Sequence, residues 1–145
     1  LHGTAYIDER GHFGVPFEAH VARTVAEFIL DNNAQGKIFF AERGEALVGC
    51  AAMVERRSAT ETRGQLRWVL LDASARGAGI GKRLVELAIG HAREKGWSKV
   101  FLETTSGLDA SMAIYEKLGF KTVDRKSQQL WTGEDDVIIM ELALR

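Results

Sequence analysis

A strand that runs through a glycine-rich turn straight into a helix constrains this chain more than any other feature. Gln65 to Asp72 is apolar enough for a buried strand, and Ile80, Leu84, Leu87, Ala88 and Ala92 follow helical spacing from Gly79 to Lys95. Between them Gly77, Gly79 and Gly81 stand at alternate positions. Without Cβ atoms they let a ligand come against the backbone, and the first turn of the helix offers N–H groups that have no intrahelical partner. Those donors, the positive end of the helix dipole and the side chains of Arg76, Lys82 and Arg83 suit a pyrophosphate.

Spacing rejects two common phosphate motifs. A P-loop requires Gly-x-x-x-x-Gly-Lys-Ser/Thr, but Arg76 occupies the first glycine position and Arg83 stands where the hydroxyl belongs. A dinucleotide fingerprint requires Gly-x-Gly-x-x-Gly, whereas Gly77, Gly79 and Gly81 are spaced evenly and Lys82 follows them. What fits is Arg-x-x-Gly-x-Gly at Arg76, Gly79 and Gly81, and on that motif the chain resembles the GNAT superfamily of acetyl-CoA-dependent N-acyltransferases. Ile114-Tyr115-Glu116-Lys117-Leu118-Gly119-Phe120 is similar to the second signature of that superfamily, and two motifs in the right order are more specific than one. The resemblance covers roughly residues 38 to 143. More narrowly, Phe17-Glu18-Ala19, Val21-Ala22 and Leu108-Asp109-Ala110 resemble the acetyltransferase half of MarR-type regulator fusions. With a start at Leu1 rather than Met, that resemblance implies the C-terminal part of a longer regulator.

The rest of the chain alternates β and α. A short extended start at Thr4 to Ile7 precedes Pro16, which suits the first turn of a helix carrying Phe17, Val21, Val25 and Ile29 on one stripe. Lys37 to Glu42 and Ala46 to Glu55 read as a hairpin around Arg43-Gly44-Glu45. Gly96 is placed to end the long helix, and Lys99 to Thr104 is a short strand. Ser106-Gly107-Leu108-Asp109 resembles a capping box for a helix through Lys117, with a core stripe of Ala110, Ile114 and Leu118. Phe120 to Lys126 and Asp136 to Leu144 are closing strands. The order indicates one α+β layered domain over residues 1 to 145, of the GNAT acyl-CoA N-acyltransferase fold, with a mixed central sheet and helices on both faces.

Composition excludes several classes. Hydrophobic residues make up 46%, charged residues 27%, and the formal net charge is -1, so no basic excess is left for nucleic acid or an anionic membrane. No apolar run reaches membrane-spanning length. The single cysteine, Cys50, lies in an apolar run, reads as a small buried hydrophobe and points to a reducing, cytoplasmic setting. His2, His12, His20 and His91 lack ligand spacing, so no metal is expected. Met53, Met112 and Met140 read as core filler, and Trp68, Trp97 and Trp131 as half-buried tryptophans more than as pocket walls.

The GNAT resemblance implies acetyl-CoA as co-substrate and an amine acceptor, with a homodimer compatible. It implies that Val69, Leu70 and Leu71 line the pantetheine arm and that Arg76, Gly77, Ala78, Gly79, Ile80, Gly81 and Lys82 bind the pyrophosphate. An attacking ammonium with a pKa of about 10.4, or about 7.7 to 8 for an α-amine, has to lose a proton, and an oxyanion has to be stabilised by N–H groups. A departing thiolate takes a proton from a donor such as tyrosine. Tyr115, inside the second signature, is the expected general acid; by position alone it is an amphipathic tyrosine with a buried ring and a wet hydroxyl. Glu103 resembles the base of some protein N-terminal acetyltransferases, and is equally an ordinary solvated glutamate, a water relay then serving as base. Leu108 replaces the asparagine that many members carry there. The acceptor region, Phe13 to Asn33 and Ser127 to Asp136, carries no charge cluster that names a substrate. The alternative is a non-catalytic acyl-CoA sensor; a pure interaction module leaves the phosphate turn unexplained.

Overall fold

The computed structural model describes residues 35–105, 108–130 and 133–144, with side chains described outside 128–135. The elements are β1 (Lys37–Arg43), β2 (Ala46–Arg57), β3 (Thr62–Leu71), a 3-10 turn (Ala73–Ala75), α1 (Ile80–Glu94), β4 (Lys99–Thr105), α2 (Asp109–Lys117), β5 (Lys121–Leu130) and β6 (Gly133–Ala143). The expected start strand and the helix from Pro16 lie outside the described residues.

The strands form one six-stranded sheet in the order β1-β2-β3-β4-β6-β5. All neighbours are antiparallel except β3 and β4, which makes the sheet mixed, as expected. The parallel ladder consists of Gly64↔Val100 and Gln65↔Phe101 alone. Beyond it β3 continues to Leu71 and β4 to Thr105 without a shared pair, so the two strands open into a wedge. The closed end is stitched by Ser98: its N–H donates to the Thr62 carbonyl at 3.1 Å, its carbonyl accepts from the Leu144 N–H at 3.1 Å, and its hydroxyl donates to Glu61 at 2.7 Å.

Two apolar clusters lie on opposite faces. Met53, Leu66, Trp97, Val100, Leu102, Ile138 and Met140 of the sheet side join Leu84, Val85, Ala88, Ile89 and Ala92 of α1, with Tyr115 of α2. Ala52, Val54 and Trp68 form the other cluster, with Ile38 and Cys50 against it. The change of face between Leu66 and Trp68, which alternation would place together, has a local cause. Cys50 pairs with Leu70 and Ala52 with Arg67, so Trp68 and Val69 together oppose Ala51 in a β-bulge. Trp68 takes φ +50, a left-handed conformation that a bulky residue holds only when its surroundings fix it.

Helix α1 turns slightly from its expected face. Its buried residues are Gly81, Leu84, Val85, Ala88, Ile89 and Ala92, two adjacent ridges, and Leu87 falls on the flank at 38% exposure. In α2 the correction is larger: Tyr115 is the buried residue, Ile114 and Leu118 are half-buried, and Ala110 is exposed. The aromatic ring buries more apolar surface than an alanine methyl, and the helix rotates to place it inward. The expected capping box is not the helix start either: the N-cap is Leu108, with no side-chain cap hydrogen bond, and Ser106 lies outside the described residues. Among the described residues no helix is long and apolar enough to cross a membrane.

Candidate active site

The carboxyl ends of β3 and β4 point the same way, so whatever follows each strand gathers at the open end of the wedge. The glycine turn and α1 follow β3, and α2 follows β4. Open α/β sheets hold ligands at this place, where strands run parallel and their continuations part.

The turn is held from several sides. The Asp72 N–H donates to the Val48 carbonyl at 2.7 Å, the Ser74 hydroxyl donates to the Asp72 carboxylate, and Arg43 reaches over from β1 to the Ser74 carbonyl at 3.2 Å. That Ser74 hydroxyl holds the Asp72 carboxyl below its ordinary range. Arg76 folds back, its guanidinium 3.4 Å from the Leu71 carbonyl. Gly77 and Gly79 then take φ +87 and +77, and a Cβ built on either meets nothing within 4 Å. Their glycine identity is therefore required by backbone conformation, with open space left in front of the turn.

Gly79 is the N-cap of α1 and supplies no side-chain cap, and no acidic residue lies in the first turn. The first helical bond is Arg83 N–H to the Gly79 carbonyl at 3.1 Å, which leaves the N–H groups of Ile80, Gly81 and Lys82 outside the helical ladder. A helix start with neither cap nor carboxylate, fronted by open space, fits a phosphate-bearing ligand. Gly81 is buried, and a Cβ there would meet Ile114 Cδ1 at 3.4 Å and Leu71 Cδ2 at 3.7 Å, ordinary contact distances, so neither packing nor backbone conformation demands glycine at this position.

The structure sorts the expected site residues. Arg76, Gly77, Ala78, Gly79 and Lys82 are exposed at the mouth, and Ile80 is half-buried beside them. Lys82 lies 3.9 Å from Glu86 in an exposed pair one turn on, a weak attachment. Arg83 turns away from the wedge into a groove of about 270 Å³ between α1 and β1, beside Lys37 and His91. Val69 belongs with the α1 face, Leu71 stands against Leu84, and Leu70 is buried toward the opposite face. Tyr115 is 6% exposed, its ring edge-on to Phe120 with centroids 5.8 Å apart. Glu103 is exposed and alternates with buried Leu102 and Thr104, so it stands on the face away from α1. Tyr115 and Glu103 thus lie on opposite faces of the sheet.

Sequence reasoning missed three features. The bulge at Trp68 has no signal in the alternation of Leu66, Trp68 and Leu70. Thr104 is, among the described residues, the buried polar side chain, 8% exposed and on the α1 face of β4. Arg67 is brought beside the wedge mouth, its guanidinium 4.8 Å above the Trp68 ring, because the bulge turns both side chains to one face. Met53, Met140 and Trp97 are core residues, and among the described residues no three His, Cys, Asp or Glu gather as a metal would require.

A mixed sheet split between two parallel strands, with an uncapped helix start at its mouth, is the architecture of a domain that takes an elongated, phosphate-bearing ligand. The sequence matches the acetyltransferase (GNAT) family over residues 5–120, and the chain belongs to that family. It is 32% identical over 126 residues to N-acetyltransferase 8F1 of Rattus norvegicus, covering 81% of this chain and 57% of that protein, so the chain spans little more than half of that relative. In fold it is similar to the ribosomal-protein-alanine N-acetyltransferase of Brucella melitensis, with TM-score 0.75 and 23% identity over 99% of this chain and 90% of that one. It is also similar to yncA of Salmonella typhimurium, solved with its cofactor acetyl-CoA, with TM-score 0.72 and 20% identity over 86% and 73%.

Proposed function

We propose that the protein is an acetyl-CoA-dependent N-acetyltransferase that moves an acetyl group to a primary amine by direct attack on the thioester. The observation that carries this reading is the wedge between β3 and β4, fronted by the glycine turn. Acetyl-CoA supplies an activated acyl group on a thiol leaving group. In this reading Arg76 through Lys82 hold the pyrophosphate with backbone N–H groups and the helix dipole. Val69, Leu70 and Leu71 offer the backbone of a strand edge to the amides of the pantetheine arm. On the face away from α1, Glu103 takes the proton of the incoming ammonium, directly or through water. On the other face Tyr115, protonated at neutral pH with an ordinary pKa of about 10, gives a proton to the departing thiolate. Placement on opposite faces supports this assignment, since base and acid serve two different substituents of the tetrahedral carbon, the incoming nitrogen and the departing sulfur.

Incubation with acetyl-CoA and a panel of primary amines, following free thiol, tests the reading. CoA release matched by acetylated amine is expected. Binding of acetyl-CoA with no release for any amine would leave an acyl-CoA sensor instead. The MarR-type fusion is a separate proposal, supported by Leu108-Asp109-Ala110 and by Phe17 to Ala22, the latter outside the described residues; the parent gene sequence tests it.

A further inference from the structure

One buried polar side chain has no part in the acetyl-transfer scheme. On β4 Val100 and Leu102 pack into the α1 cluster, and the next residue on that face is Thr104. Its antiparallel partner on β6, Ile138, belongs to the same cluster, which fixes the face of Thr104 independently of the alternation. Thr104 is 8% exposed, and among the described residues its hydroxyl has no hydrogen-bond partner. A buried hydroxyl left unpaired costs stability, and valine, of nearly the same shape, would avoid that cost.

The place of Thr104 in the sheet gives that hydroxyl a use. One edge of β4 stays paired with β6 as far as Thr105↔Val137, while the other has no partner beyond Gln65↔Phe101. Thr104 therefore stands on the bank of the wedge, past the last pair with β3. A thin chain threaded between the banks takes the place of a strand, about 4.8 Å from the β4 backbone, and its groups become cross-strand neighbours of Thr104. The arm of acetyl-CoA is such a chain, and it carries amides and a thioester carbonyl. The β3 edge serves polar groups on one side of the arm, and Thr104 serves those that turn toward β4 and α1.

We infer that the Thr104 hydroxyl is a ligand contact that holds the acyl-CoA arm in the wedge, through an amide of the arm or through the thioester carbonyl. The inference rests on the acetyl-CoA reading and deepens it. Thr104 positions the arm and exchanges no proton in the reaction. A hydroxyl both donates and accepts, so either half of an amide satisfies it. Binding then pairs a group that the protein alone leaves unpaired.

Thr104→Val and Thr104→Ser test this on the whole chain. Calorimetry uses CoA, acetyl-CoA and adenosine 3′,5′-bisphosphate, a piece of CoA that lacks the arm, and urea unfolding is followed without ligand. For Thr104→Val the urea midpoint is expected to hold or rise, and affinity for acetyl-CoA to fall about 3- to 10-fold, the range of one neutral hydrogen bond, while affinity for the bisphosphate stays the same. Thr104→Ser keeps the hydroxyl and is expected to retain most of the affinity. A fall shared by CoA assigns the contact to an amide, and a fall with acetyl-CoA alone assigns it to the thioester carbonyl. A lower midpoint for Thr104→Val, undiminished acetyl-CoA affinity, a loss that extends to the bisphosphate, or an equal loss in Thr104→Ser overturns the inference, while binding of acetyl-CoA by the unaltered protein keeps the acetyl-transfer reading. If the unaltered protein binds neither CoA nor acetyl-CoA, that reading and the inference fall together.

Discussion

The Cys50 thiol donates a hydrogen bond to the Trp68 carbonyl across 3.0 Å, which ties β2 to the bulged residue of β3. Burial raises the thiol pKa, against a smaller opposing pull from a backbone hydrogen bond with Leu70. A raised pKa in the folded state means that stability from the neutral thiol is complete below the ordinary thiol pKa of about 8.5 and is lost as pH rises through the folded value. Urea midpoints measured upward from pH 8 should therefore fall for the native protein and fall less for Cys50→Ala. At pH 7 Cys50→Ala should cost about 1 kcal/mol, one hydrogen bond. Equal alkaline slopes in the two proteins would remove the thiol from the account.

Gly79→Val tests the turn. The substitution meets no neighbour but puts a β-branched residue at φ +77, so stability should drop by about 1–3 kcal/mol. Calorimetric affinity for acetyl-CoA should fall far more than that strain explains, because the side chain occupies the space before the helix start. Unchanged affinity would take the turn out of the site.

Tyr115→Phe separates chemistry from packing. The ring and its contact with Phe120 are kept, so the thermal midpoint and acetyl-CoA affinity should hardly move. Loss of one general acid lowers kcat by about 10²- to 10⁴-fold, and the loss should shrink with a more acidic thiol as leaving group. Full turnover by the variant would make Tyr115 a packing residue.

Gly64→Ala addresses the closed end of the wedge. A Cβ there would lie 2.6 Å from Met53 Sδ and 3.0 Å from Trp97 Cε3, both buried, so the core has to shift. Overpacking of this kind costs about 1–3 kcal/mol, read as a lower urea midpoint. A midpoint equal to that of the native protein would mean that Met53 yields freely.

Much of this architecture is legible in the sequence because it rests on local rules. The glycine turn, the end of α1 at Gly96 and the end of α2 at Gly119 each depend on a backbone conformation that glycine supplies, and the structure has Gly79, Gly96 and Gly119 at positive φ. The bulge is different. Leu66, Trp68 and Leu70 alternate as an unbroken strand would, and only the register against β2 reveals that Trp68 has changed face. The rotation of α2 was hidden for a related reason: Ala110 and Tyr115 both suit an apolar face, and the choice between them depends on which neighbour offers room for a ring. Tyr115 and Glu103 can be picked from the GNAT resemblance, but their placement on opposite faces follows from tertiary structure.

The two-pair ladder between β3 and β4 gives the sheet an edge in its interior. Edge strands usually invite pairing with other chains, but this one lies between two interior strands of the sheet, where only an elongated guest fits. The guest that completes it contributes to stability as well as to chemistry. A ligand present at a hundred times its Kd adds about 2.7 kcal/mol, a large share of what a small domain has in total. Protein abundance would then follow the supply of that ligand, since a starved chain spends more time open to proteases than a filled one.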